Sequence, residues 1–306
     1  MNSRTPRATA ALALTVVLWA TAFPAIRVGV AAYGPVGLSV LRLLVASVAL
    51  ALAAPLLGVR LPRRADLPLI LLCGLTGMTA YQLLLNWGEV HVPAGTASLL
   101  VSTAPVFSVL LAWIFLRERL GWRAVLGSAV ALAGSALIAL SGGDVHYATA
   151  AWVVLAAAVV QGVYHFASKP LLRRYTGLEV ACYAMWTGTA VLLPFAPAAL
   201  GAIGSAPAGA TVPVLLLGLL PSAVGFVTWG YAVARHTVAV ATSALYLVPV
   251  VALAVAFAWL GERPAPVELI GGLISIAGVA FVHLAGRRTP APASPAAADP
   301  APAVPR

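Results

Sequence analysis

The sequence predicts an all-α polytopic membrane protein, with ten transmembrane helices arranged as two inverted five-helix repeats and both the N and C termini cytoplasmic. Three observations predict it. Only 8% of the 306 residues are charged and 62% are hydrophobic, whereas soluble domains carry roughly 25% charged residues. The apolar residues come in blocks long enough for helices that cross hydrocarbon, which takes about 20 residues. Finally, residues 94–138 align with residues 238–282 at a constant offset of 144, without a gap.

In chain order the spans fall at 9–30, 35–57, 67–87, 92–116, 124–143, 147–168, 180–200, 213–234, 238–260 and 267–285. Met1 to Arg7 is polar and basic, like the start of a leader peptide. The apolar stretch behind it runs to Ile26 and many spans follow, so an uncleaved first span is expected. Residues 180–234 carry no charged side chain, and this block divides at the Gly-, Ala- and Pro-rich stretch Gly201 to Pro213, which reads as a loop. Most other connections are short, so consecutive helices are antiparallel neighbours. The Pro- and Ala-rich tail cannot build a core and is expected to be disordered. The organisation is therefore an N-terminal segment 1–8, a first repeat 9–143, a second repeat 147–285 and a tail 286–306.

Ten spans place fifteen of the 18 basic residues on the side that holds both termini, the exceptions being Arg27, Arg42 and Arg263. Basic loops stay in the cytoplasm, which sets the orientation. The same distribution excludes a nucleic-acid partner despite the net charge of +10. The basic residues sit in short groups between apolar blocks and form no single patch interleaved with aromatics. The partner of this surface is the lipid bilayer of a bacterial-type inner membrane. Cys73 and Cys182 lie inside apolar blocks and cannot by themselves build a disulfide or metal framework. There is no P-loop, nucleophile elbow, zinc-protease motif or metal-ligand cluster, so no enzyme, cofactor or metal is expected.

The repeat pairs Pro105 with Pro249, Glu118 with Glu262, Arg119 with Arg263, Gly127 with Gly271 and Gly134 with Gly278. The register extends upstream to pair Gly74 with Gly218, and the stretch at Asn86 and Trp87 with that at Trp229 and Tyr231. Five spans per unit is an odd number, so the second unit enters the membrane upside down. Two inverted halves can exchange conformations and so switch access between the two sides, as secondary transporters do.

Trp19, Phe23 and Arg27 in the first span, Pro35 and Arg42 in the second, and the series Ala94 to Ser98, Thr103, Pro105, Leu116 to Arg119, Gly127 and Gly134 together resemble the EamA family. That family belongs to the drug/metabolite transporter superfamily. The resemblance covers residues 9–285, with the weaker copy second. It implies a ten-span carrier with a central cavity, without ATP, moving a small metabolite outward. Amino acids or other carboxylate-bearing compounds are the expected substrates. A passive channel or facilitator and a multidrug efflux carrier are the alternatives. Small multidrug exporters of the superfamily use a membrane-embedded carboxylate, and no acidic residue lies in the middle of a span here.

Candidate substrate-contacting residues follow from polarity inside apolar blocks. Arg42 lies well inside span two, where a charge costs at least about 2.5–3.5 kcal/mol and must face the interior or reach an interface. It could hold a substrate carboxylate. Arg27 is nearer its span end, where snorkelling competes with substrate contact. Gln161 and His165, one turn apart in span six, form a polar patch with Tyr164, and His165 could relay protons, which leaves proton coupling open. Tyr81, Gln82, Asn86 and Trp87 in span three, with Trp229 and Tyr231 in span eight, are cavity candidates. For Asn86 and Trp87 the interfacial belt is the slightly favoured reading. Pro105 and Pro249 are paired mid-span kinks, expected to gate or shape the cavity. Glu118 and Glu262 are expected to make interfacial pairs and turns. Gly127, Ala131 and Gly134, matched by Gly271, Ser275 and Gly278, are expected to pack helices closely.

Overall fold

A computed structural model describes residues 4–116, 122–142, 145–235 and 244–286. Glu118, its neighbouring arginines and the tail from 287 onward lie outside the described residues. Every described element is helical. The first helix, α1, is Arg4–Leu56 and folds sharply at Gly34, whose φ of 65° and ψ of 170° belong to a region open almost only to glycine. Pro35 then starts the second arm with a preset helical φ. Its arms, 4–33 and 35–56, are thus two apolar rods joined by a single non-helical residue. The following stretches are α2 (Arg64–Gly88), α3 (Ala94–Val101), α4 (Ala104–Leu116), α5 (Trp122–Ser141), α6 (Val145–Leu172), α7 (Gly177–Gly204) and α8 (Ala208–Val233). Two more complete the chain, α9 (Leu247–Leu260) and α10 (Pro266–Gly286). Seven helical stretches are long and apolar enough to cross a membrane, counting α1 once and α3 with α4 as one.

Two expectations change at the element level. The loop expected over Gly201 to Pro213 shrinks to the three residues 205–207, with helix through Gly204 and again from Ala208. In apolar surroundings a backbone N–H or C=O has no water to turn to, so Gly and Ala stay helical, and Pro213 is accommodated inside α8. Span four is not one kinked rod. It breaks at Ser102 and Thr103, and Pro105 is the second residue of the new helix α4. The hydroxyls of Ser98, Ser102 and Thr103 each donate to the carbonyl three residues back, at 2.5, 2.6 and 2.7 Å, so the polar side chains at and beside the break are satisfied locally. Pro249 is the third residue of α9, directly after the turn at Leu245 and Tyr246, so both matched prolines open helices. Within the 238–260 span, residues 238–243 lie outside the described residues.

The two halves interlock at matched points. Both α2 and α8 widen into one π-type turn, over Gly74–Ala80 and Gly218–Val224, which lie 144 residues apart. Each wide turn presses on the other half. A Cβ on Gly74 would sit 2.8 Å from the Gly188 nitrogen in α7, and one on Gly218 would sit 2.6 Å from Val45 and 2.8 Å from the Arg42 carbonyl in α1. The α5–α10 contact is closer still. A Cβ on Gly134 would meet the Gly271 carbonyl at 2.5 Å and Ser275 at 2.6 Å. Ser275 donates to the Ala131 carbonyl at 3.0 Å and lies 3.2 Å from the Ser135 hydroxyl. In lipid there is no hydrophobic drive between helices, so backbone approach through small residues supplies the adhesion.

At the end of the bundle that holds the 57–66 connection, polar groups tie the halves again. Thr176 and Glu179 form a capping box at the start of α7, and Glu179 also receives Arg60 at 2.6 and 3.0 Å. That carboxylate raises the Arg60 pKa above its ordinary value. Asp66 accepts Arg174 at 2.6 Å and the Tyr175 hydroxyl at 2.7 Å. The arginine side chains are 63% and 57% exposed, so these pairs set register more than they add stability.

Gly134→Leu is expected to separate α5 from α10, because its side chain must displace backbone. The expected loss is about 1–3 kcal/mol, read as a lower melting temperature of the detergent-purified protein. Gly134→Ala, smaller by three carbons, is expected to lose less.

Candidate functional site

A cavity of about 70 Å³ lies where both arms of α1 meet α2, the α3–α4 break, α6, α8 and the start of α9. Its walls are mainly apolar, with Trp19, Phe23, Ile26, Leu85 and Phe226 among them, and its polar members are few: Arg42, Tyr81, Ser98, Ser102, Gln161 and His165. Such a balance suits a small ligand held in orientation by a handful of groups. Pro105 and Pro249 both line it, so the two interrupted helices present their first turns to the cavity. A helix N-terminus carries unsatisfied N–H groups and a partial positive charge, which favours anionic ligands.

Arg42 is the cavity's charged member. It is 3% exposed, and its Nε donates to the Ser222 hydroxyl at 2.6 Å. Ser222 belongs to the π-type turn of α8, so the turn that brings α8 against α1 also anchors this guanidinium. The Nη1 of Arg42 has no hydrogen-bond partner among the described residues. A buried charge with an unused donor is costly unless a ligand or water completes it. On α6, the Gln161 Nε2 and His165 Nε2 are 3.4 Å apart, a weak contact, and among the described residues neither Gln161 Oε1 nor His165 Nδ1 has a partner.

The remaining residues expected from the sequence lie around this cavity at different depths. Gln82 is fully buried behind it, with both amide atoms unpartnered. Asn86 is also fully buried and donates to the Ser39 hydroxyl at 2.8 Å, which corrects the interfacial-belt reading for that residue. An amide can be tolerated there because the α1 hydroxyl receives it. Trp87, about 100° further round the same helix, is 41% exposed beside His91. Tyr164 packs on Gly77 and Phe226 behind the wall. Trp229 stacks with Trp19 at 5.4 Å and His165 at 5.6 Å, supporting cavity walls without lining them. Tyr231 lies under the Arg235 guanidinium at 3.6 Å, away from the cavity. Arg27 is not in the cavity wall either.

Arg27 closes the end of the bundle opposite the Arg60 cluster. Its Nη1 donates to the Glu89 and Val90 carbonyls in the α2–α3 turn, the latter at 2.8 Å, and its Nε lies 3.6 Å from the Glu262 carboxylate. Glu262, in the α9–α10 turn, also accepts the Ala94 N–H at 2.8 Å and so caps α3. One arginine of the first half is thereby joined to a turn of the second.

Several site residues escaped the sequence reading. Trp19, Phe23 and Ile26 recur at i, i+4 and i+7, a spacing that shares one helical face, but in a chain this apolar such spacing marks nothing. Ser98 was noted only within the series that resembles the family, and Ser102 lay in the same stretch. Glu89 carried no signal beyond being an acid near a span end.

The sequence matches the EamA-like transporter family over residues 7–140 and again over 148–284. It is 67% identical over 279 residues to a "Probable terminal-alkyne amino-acid exporter" of Streptantibioticus cattleyicolor, covering 91% of this chain and 93% of that one. It is 37% identical to the "Uncharacterized transporter YdfC" of Bacillus subtilis, covering 93% of each. A "Probable amino-acid metabolite efflux pump" of Escherichia coli is 29% identical over 90% of this chain and 94% of that protein. A crystal structure at 24% identity superposes with a TM-score of 0.62 over 92% of this chain and 97% of its own, which shows the shared fold. The apolar helices, the duplicated match and these relatives make the chain a multi-pass membrane transporter, and it belongs to the EamA-like transporter family.

Proposed function

We propose that this transporter is a secondary carrier that exports amino acids or closely related carboxylate-bearing metabolites across the bacterial inner membrane, by alternating access between two inverted five-helix halves. The ten spans are the two arms of α1, α2, α3 with α4, and α5 to α10. The Arg60 and Arg174 cluster then faces the cytoplasm with both termini, in keeping with the positive-inside rule. Arg27 and Glu262 close the external mouth.

The observation that carries this reading is Arg42, a buried guanidinium with an unused Nη1 in the wall of an otherwise apolar cavity. A substrate carboxylate would complete it with a charge-assisted hydrogen bond. The first turns of α4 and α9 add positive potential in the same place. The apolar walls formed by Phe23, Ile26 and Phe226 suit a short hydrocarbon side chain, consistent with the terminal-alkyne amino acid in the name of the Streptantibioticus relative. A cationic drug would instead meet a fixed positive charge, which disfavours the multidrug alternative. Polar closures at both ends of the bundle favour a carrier over an open channel.

Counterflow in proteoliposomes tests the reading. Vesicles loaded with an unlabelled amino acid are expected to take up the labelled one saturably, and flux without saturation or exchange would establish a channel instead. Arg42→Ala is expected to raise the apparent KM for a carboxylate substrate by about 10- to 100-fold, the equivalent of about 1.5–3 kcal/mol for a hydrogen bond to a charged group. Arg42→Lys is expected to recover little of it, since a point charge does not reproduce the guanidinium fork. Unchanged affinity in folded Arg42→Ala protein would remove Arg42 from the site.

The paired prolines give a separate outcome. Pro105→Ala and Pro249→Ala allow continuous helices across the cavity wall, so each is expected to slow turnover by several-fold, about 1 kcal/mol in barrier. Initial rates of counterflow against substrate concentration check this, and a changed KM with unchanged maximal rate would place the prolines in binding alone.

A further inference from the structure

Glu89 is the first residue after α2, one turn beyond Leu85 of the cavity wall. Its side chain is fully buried, and neither carboxyl oxygen has a hydrogen-bond partner among the described residues. The external closure grips the Glu89 backbone carbonyl through Arg27 and leaves the carboxyl alone. The charged and titratable groups that face it are Arg27 and Arg42 from the two arms of α1, Tyr81 from its own helix and Glu262 from the α9–α10 turn. The two cations are engaged elsewhere. Arg27 reaches Val90 and Glu262, and Arg42 reaches Ser222.

An ionised carboxylate is not tolerated in such a place without hydrogen bonds. Burial, and then the like charge of Glu262, raise the Glu89 pKa well above the ordinary carboxylate range, against the pull of Arg27 and Arg42. With the mouth closed the group is therefore a neutral acid. Its proton is favoured at low pH and is lost as pH rises, or as the mouth opens and water reaches it.

Two further facts set its use. The unpartnered Nη1 of Arg42 and the unpartnered Glu89 carboxyl do not bond each other, so a cation and an acid face the same region with their valences open. Gln82, Asn86 and Glu89 also recur at i, i+4 and i+7 on one face of α2, each with unpartnered polar atoms, forming a buried polar stripe that ends at the external mouth.

We propose that Glu89 is the exchange site of the carrier, holding in turn the ammonium group of a zwitterionic amino acid, whose carboxylate sits on Arg42, and a proton taken from the external side. Occupancy is mutually exclusive, because the ammonium requires the ionised carboxylate and the proton abolishes it. When substrate leaves outward, Glu89 binds an external proton, and the mouth closes over the neutral acid. The proton is released inward when the next substrate ammonium arrives. One proton thus enters for each amino acid exported, and charge balances as one net positive charge inward. This inference rests on the carrier reading and on Arg42 as the carboxylate site.

The test uses the full-length protein in proteoliposomes with the membrane potential clamped, and labelled propargylglycine with its desamino analogue as probes. For the wild type, a pH gradient is expected to accumulate propargylglycine on the acid side, up to about tenfold per pH unit for one proton. Glu89→Gln, a fixed neutral group, is expected to abolish that accumulation. It is also expected to raise the KM for propargylglycine by about tenfold or more, the scale of a lost charge-assisted bond, while leaving inhibition by the desamino analogue unchanged. Accumulation retained in Glu89→Gln, or wild-type counterflow without any response to the gradient, overturns the proposal. Wild-type protein with no counterflow at all refutes the carrier reading instead. Should Glu89→Gln not fold by gel filtration, Glu89→Asp decides. A shifted pH midpoint of counterflow supports the assignment, and an unchanged midpoint overturns it.

Discussion

The constraint on which the rest of this structure depends is that hydrocarbon offers no hydrogen bonds. Each backbone N–H and C=O inside the bilayer must be satisfied within the protein, and helices do this segment by segment. The consequence reaches single residues. Ser98, Ser102 and Thr103 fold their hydroxyls back onto carbonyls where α3 ends, and Trp19 donates to the Pro221 carbonyl in the wide turn of α8 at 3.2 Å. Against that background, eight of the described residues keep buried polar side-chain atoms without partners. Six of them, Arg42, Gln82, Asn86, Glu89, Gln161 and His165, gather at the cavity or along the stripe that leads from it, while Thr96 and Ser128 stand apart. Where a membrane protein tolerates such deficits, a ligand, water or a proton has to make them good.

The two halves share a scaffold but not a chemistry. The π-type turns, the helix-opening prolines and the close-packing glycines recur at the 144-residue offset. These are backbone features, and they give two similar halves. The ionisable groups around the cavity do not recur. Arg42 is matched at that offset by Trp186, Tyr81 by Gly225 and Glu89 by Val233. Trp186 uses its indole N–H on the Ser47 carbonyl at 3.1 Å, bonding the two halves where its counterpart lines the cavity. In the alternating-access cycle proposed above, a symmetric frame with one charged wall would present the same polar groups to each side in turn.

The polar closures at the two ends differ in kind. The one at the Arg60 end has exposed arginines set on buried acids, with a capping box and tyrosine hydroxyls in support. The one at the Arg27 end is an arginine that is 34% exposed, gripping turn carbonyls and a carboxylate that is also capping α3. Arg27 makes three contacts there, and the carboxylate it meets also caps α3, so this closure and the helix that carries the cavity serines share one group.

Composition, block length and the constant offset were enough, from the sequence alone, to establish a helical membrane protein with a duplicated unit. The resemblance carried by Pro105, the Leu116 to Arg119 stretch and the paired glycines led to the transporter family. These properties are legible because they depend on local chemistry: hydrocarbon selects apolar residues, and proline and glycine report backbone demands wherever they occur. The sequence also nominated Arg42, Gln161 and His165, since polarity inside an apolar block is costly anywhere. Tertiary structure alone decided which of the nominees share a wall, why Tyr231 and Trp87 point elsewhere, and that Asn86 is buried by Ser39. It also decided the standing of Glu89. An acid beside a turn looks solvated in one dimension, and only the packing of α1 and the α9–α10 turn around it removes the water that would have made it ordinary.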